Sequence, residues 1–259
     1  MGNAVRKTEE QLPLAFDANE FEGLGQENTQ ADDFAIPFIN IAQALSPQLK
    51  RSDAAYIEGL QTNQLFNSVT GEIFEDGVTV IPVKYERKYL EFNLRENGGG
   101  LVAIHDDYDP EILKRRDDKN RSITDDGTQI VETRSFYCLA QGGNGDWYPA
   151  MISMKSTGLK KAKQWMSMAQ DVKWPKKDGS KFIAPMFARK YRIGVAEESS
   201  KGNTWGNWTV QRLDDEPLTP EDALFNMAYD LYKSLDKYRV DYAAQAETGE
   251  SEEEEVPHQ

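Results

Sequence analysis

Between Phe34 and Leu213 the chain holds several separate runs of strand-forming residues, the clearest of them with side chains that alternate between two faces. The longest such run, Val78 to Phe92 (VTVIPVKYERKYLEF), predicts one long strand. Its alternation puts Thr79, Ile81, Val83, Tyr85, Arg87 and Tyr89 on one side and Val80, Pro82, Lys84, Lys88 and Leu90 on the other. Pro82 has no N–H for a ladder, so an edge or a bulge is expected there. Further strands are predicted at Phe34–Ala42, at Leu65–Glu75 (two short ones around a Ser68–Gly71 turn) and at Leu101–His105 after three glycines. Gln129–Ala140 and Asp146–Met154 follow, joined by Gly142-Gly143-Asn144-Gly145. Met186–Val195 and Trp205–Leu213 flank a Gly/Ser/Asn cluster and read as a hairpin, with Phe187, Arg189, Tyr191 and Ile193 on one side.

The period lengthens twice to that of a helix. From Leu159 to Gln170, capped by Ser156 or Thr157, Leu159, Ala162, Trp165, Met166 and Ala169 share a face, with Lys160, Lys161 and Lys163 opposite or at its margin. Thr219-Pro220-Glu221-Asp222 is a second helix start, followed by the stripe Leu224, Met227, Ala228, Leu231, Leu235 and Tyr238. Asp109-Pro110 opens a helical turn leading into a basic loop of Lys114, Arg115, Arg116, Lys119 and Arg121, and Trp174–Lys181 is a Lys/Gly loop. The fold class is mainly β with helices (α+β). Antiparallel strands, a helix, a final hairpin and a closing helix match an OB-like five-stranded Greek-key barrel. Residues 36–242 form that domain, between a disordered acidic segment at 1–35 and a disordered acidic tail at 243–259.

Charge sharpens the division. The net charge of −14 is concentrated at the ends: residues 1–35 carry two cations against eight acids, and residues 241–259 carry seven acids and no cation, leaving −1 for the body. A balanced body with clustered Lys and Arg can hold a polyanion that a uniformly acidic one would repel. No apolar run is long enough to span a bilayer, so no membrane partner is expected. The single cysteine, Cys138, precludes an internal disulfide and fits a reducing cytoplasm.

Catalytic signatures are sparse. His105 stands beside Asp106, Asp107 and Asp109, which leaves open a metal-dependent nuclease or nucleotide-processing centre. The same letters describe a loop that ends a strand and caps a helix. No nucleophile elbow, Walker loop or paired-cysteine motif occurs, so neither enzyme activity nor a cofactor is expected. Cations interleaved with rings are more abundant, and single-strand binders need that combination: cations take phosphates and rings stack bases. The candidates are Lys84, Tyr85, Arg87, Lys88, Tyr89, Arg134, Tyr148, Lys160, Lys161, Arg189, Lys190, Tyr191, Arg192, Lys201 and Trp205. In the tail, Glu250, Glu252, Glu253, Glu254 and Glu255 form an anionic string that either docks partner proteins, competes for the binding groove or merely aids solubility.

The layout Gln43–Pro47, Leu65–Glu72 (LFNSVTGE), Val78–Arg87 (VTVIPVKYER) and Gly98–His105 (GGGLVAIH), ending in an acidic tail, resembles the single-stranded DNA-binding proteins of tailed phages. The resemblance implies an OB barrel that coats single-stranded DNA in replication, recombination or repair within the infected host's cytoplasm. It also implies recruitment of replication or recombination proteins through the tail. Self-association into a homo-oligomer and a DNA-mimicking role for the acidic ends stay open.

Overall fold

Two long strands, β4 (Val78–Phe92) and β7 (Gln129–Gln141), pair antiparallel from Val80 opposite Ala140 to Phe92 opposite Gln129, and the rest of the sheet is added to them. The computed structural model describes residues 35–200, 202–213, 216–238, 240 and 242, with isolated positions 24, 25, 28, 29 and 33 before them. On the free side of β7, β8 (Trp147–Lys155) pairs along one half and β6 (Ser122–Ile123) along the other. On the free side of β4, β11 (Tyr191–Ser200) takes the first residues and β5 (Leu101–His105) the last. β12 (Asn203–Arg212) completes a hairpin with β11, giving the order β12-β11-β4-β7-β8.

The expected mainly-β class with antiparallel strands and a few helices is what the structure has, but the sheet has seven strands and does not close into a five-stranded barrel. β8 and β12 do not pair. Between them runs β1 (Ile39–Ile41), part of a small sheet with β2 (Leu65–Asn67) and β3 (Ile73–Phe74). Phe38 bridges to Met151 of β8, and the Gln43 amide accepts from Gly206 N (3.1 Å) and donates to Gly206 O (2.8 Å) on β12. A Cβ on Gly206 would stand 2.5 Å from Asn63 Oδ1 and 3.0 Å from Ile41 and Val195, so a larger residue there would push those side chains aside.

Each side of the sheet buries its own apolar set. Val78, Val80, Phe136, Cys138, Ile152, Met154, Tyr191, Ile193 and Trp208 pack with β1–β3 and with α2 (Gly158–Gln170). Trp165 of α2 is fully buried, stacked on Phe136 at 4.0 Å and edge-on to Tyr191. Ile81, Val83, Leu90, Tyr137, Leu139, Met151 and Phe187 lie on the other side beneath α3 (Ala223–Ser234), with Ile36 and Tyr242 from the two ends of the domain.

Three expectations change. The register slips between Pro82 and Lys84, the bulge the missing proline N–H calls for, so Tyr85, Arg87 and Tyr89 leave the side of Ile81 and join that of Val80. Pro185 opens a 3-10 turn at Met186–Ala188, so β11 starts only at Tyr191 and Phe187 is sent to the opposite core from Tyr191 and Ile193. α3 starts at Ala223, after Asp222 turns back to accept from Thr219 N (2.7 Å), and it buries Phe225 while Met227 stays exposed.

Trp165→Ala is expected to lower unfolding free energy by about 3–5 kcal/mol, since it empties the stacked centre of one core. Urea unfolding followed by circular dichroism measures it, and a loss below about 1 kcal/mol would contradict this packing.

Candidate nucleic-acid interface

Where β4 and β7 extend past α2, the bulge gathers four of the sequence-predicted residues on one side. Arg87 and Arg134 are direct cross-strand neighbours, Tyr85 lies opposite Phe136 with ring centroids 5.3 Å apart, and Tyr89 lies opposite Glu132. Two like charges facing each other destabilise a ladder unless something answers them. Here Arg134 is held by Glu132 (2.7 Å), while Arg87 is exposed and its guanidinium lies 5.6 Å from the centroid of the Tyr89 ring. Tyr89 is buried and Tyr85 half-buried, so Arg87 is the accessible cation of this patch.

Lys84 and Lys88 project from the other side of β4. Lys84 pairs with Glu86 (2.9 Å), and Lys88 bonds the Asp106 carboxylate, which raises the lysine's pKa and lowers the acid's. The remaining candidates are dispersed. Tyr191 is wholly buried, its hydroxyl pushed up to about 12 by that burial, so it offers no ring to a ligand. Tyr148 donates to Glu72 (3.3 Å) and accepts from Asn67 (3.2 Å), in a clasp between β2, β8 and their turns. Arg192 donates twice to Asp76 O and once to Thr79 Oγ1, bracing the turn before β4. Lys161 pairs with Glu198 (2.9 Å), and Lys160 is exposed on the same helix. Arg189 and Lys190 are half-buried just before β11, and Trp205 is half-buried on β12. Lys201, Glu250 and Glu252–Glu255 fall outside the described residues.

The His105 acids do not assemble. Asp109 caps α1 (Pro110–Lys114) by accepting from Glu111 N (2.8 Å), Asp107 accepts from Tyr108 N, and Asp106 goes to Lys88. His105 instead meets Glu91 across the β4–β5 ladder, Nε2 to Oε2 at 2.8 Å, and the other carboxylate oxygen accepts from Thr128 Oγ1 at 2.5 Å. Among the described residues, no three His, Cys, Asp or Glu side chains come together as a metal site would require. The basic loop after α1 is likewise spent internally, with Arg115 on Asp125 and Arg121 on Asp117 and Glu96.

Sequence reasoning missed a hairpin. The segment read as a Lys/Gly loop forms β9 (Lys173–Pro175) and β10 (Lys181–Ile183), with Trp174 opposite Phe182. Three-residue strands are too short for periodicity to register, but four lysines against the single Asp178 in nine residues were a signal available in the sequence.

A family model described as Pam3 phage gp34-like protein matches residues 6–241, which takes in β1–β12 and α1–α3. The chain belongs to this phage protein family. Comparison with curated proteins and with solved structures gives no match. Among the described residues, no helix of this gp34-like protein is long and apolar enough to cross a membrane.

The Thr128 hydrogen bond, and after it His105, holds the Glu91 carboxyl below its ordinary value near 4.5. A depressed folded value contributes stability that is fully present above the unfolded pKa and is lost as pH falls through the folded one. Between about pH 5 and pH 3, the native chain should therefore lose more stability than Glu91→Gln, whose side chain does not titrate. Parallel losses for the two proteins in urea titrations across that range would contradict the assignment.

Proposed function

We propose that this gp34-like protein binds single-stranded DNA without reading its bases, in the replication, recombination or repair of phage DNA inside the infected host. The observation that carries the reading is the patch at the open half of β4 and β7. An exposed Arg87 lies against the ring of the buried Tyr89 and opposite Arg134, with the half-buried Tyr85 on the same side. Guanidinium groups held against rings suit a flexible strand, whose phosphates take the cations while its bases find flat surfaces. The strand order supports the same reading. A β4-β7-β8 meander, α2, and a β11-β12 hairpin returning to β4 follow one another as in an OB barrel, whose closure would fall in the interval that β1 occupies. The protein acts as a coat, not a catalyst. Its glutamate-rich tail competes with DNA for the cations and recruits replication or recombination proteins.

Fluorescence anisotropy with a labelled oligo-dT, titrated at several salt concentrations, tests this. Binding at micromolar protein that weakens with salt is expected, and Arg87→Ala should reduce affinity roughly three- to tenfold near 100 mM salt. No binding to oligo-dT up to about 10 μM removes the proposal, on the scale of non-specific affinities. Deleting residues 246–259 should tighten binding; unchanged affinity refutes the competing role of the tail while leaving DNA binding intact.

A further inference from the structure

We propose a second strand-binding surface, formed by the β9–β10 hairpin and the outer face of α3, that takes single-stranded DNA; it rests on the DNA-binding reading above. The argument starts from charge. Lys173, Lys176, Lys177 and Lys181 are all exposed within nine residues of one hairpin, and among the described residues no carboxylate lies within ion-pair distance of any of them. Asp178, the acid of the turn, is occupied by Ser180, accepting from both its N–H (2.9 Å) and its hydroxyl (2.6 Å). This contrasts with Lys84, Lys88, Lys114, Lys161 and Lys233, each of which has an acidic partner.

On the other face of the ribbon from Lys173 and Lys181, and next to the turn that carries Lys176 and Lys177, begins a row of rings. Phe182 meets Trp174 edge-on at 6.0 Å, Trp174 meets Phe225 of α3 at 5.7 Å, Phe225 meets Phe187 at 4.8 Å, and Phe187 touches Tyr229 and Tyr232 at 6.2 and 6.3 Å. The middle of the row is core, with Phe225 and Phe187 buried. Its ends are not: Phe182 is 39% exposed at the hairpin, and Tyr229 and Tyr232 are 45% and 51% exposed on α3. Large apolar rings left in solvent, on a ribbon whose turn and other face carry unpaired cations, suit a ligand that is both a polyanion and a stack of aromatic planes and that wraps the hairpin. Lys233 already lies over Tyr229, 4.6 Å from its centroid, and pairs with Asp230, so Phe182 and Tyr232 are the rings assigned to stack bases. A protein partner with an acidic, aromatic-poor surface would use the lysines and leave the rings unused, which the test separates.

The oligo-dT titration is repeated on the full chain with Lys173, Lys176, Lys177 and Lys181 changed together to Ala, and separately with Phe182→Ala combined with Tyr232→Ala. The lysine variant should lose at least tenfold in affinity near 100 mM salt, and its log K against log salt should flatten by about 0.7 for each phosphate contact removed. The ring variant should lose tenfold or more with the salt slope unchanged, because stacking releases no counterions. All these side chains are at the surface, so thermal midpoints should match the native chain, and a variant that fails that control is replaced by Lys→Gln or by Tyr232→Leu with Phe182→Leu. If the native chain binds and both variants bind equally well with the same slope, the hairpin surface is wrong and the DNA-binding reading survives. Loss with the lysine variant alone overturns the stacking assignment and with it the strand as ligand of this surface. A native chain that does not bind oligo-dT removes both.

Discussion

One missing hydrogen-bond donor governs what the long sheet presents to its surroundings. Pro82 cannot contribute an N–H to the β4–β7 ladder, and the register shifts by a residue between Pro82 and Lys84. Before the bulge, Val78 and Val80 face the core under α2; after it, Tyr85, Arg87 and Tyr89 lie on that same side of the sheet in place of Lys84, Glu86 and Lys88, with Arg87 exposed. Side chains change sides with every residue, so a single extra residue exchanges the whole outer half of the strand. Arg87 and Arg134 are neighbours, and Lys84 and Lys88 are turned to the other side, toward Glu86 and Asp106, because of that one position.

Surface charge follows an equally simple division. Several cations of the body lie beside an acid two to four residues away, as Arg134 does with Glu132 and Arg121 with Asp117. Such exposed pairs contribute little to stability, commonly below about 1 kcal/mol, but they cancel local potential. At those positions the charge is cancelled locally, whereas among the described residues the four β9–β10 lysines have no such acid paired with them.

The large elements were legible in the sequence because they are long or punctuated. Val78–Phe92 was bounded by Gly77 and by the polar run ending in three glycines, α2 by its 3.6-residue stripe, and α1 by Asp109-Pro110. The sides of the strands were less legible, since alternation can be counted only until a bulge or a proline-led turn interrupts it, and Pro82 and Pro185 did so in the two stretches that mattered most. The candidate site suffered in proportion. Tyr191 was grouped with cations as a ligand-facing ring and is instead packed against Trp165, whereas Phe182 and Tyr232, on a short strand and on the outward flank of a helix, carried no periodic signal to mark them.

The seam between β8 and β12 bears on how the chain reaches its native state. Gln43 and Gly206 join residues separated by 163 positions, and the bridge from Phe38 to Met151 is almost as remote. Ordering so distant a pair carries a loop-closure entropy that no neighbouring contact offsets in advance. β1 can pair locally with β2, but its seam to β12 needs the C-terminal hairpin, so that edge is among the last to lock.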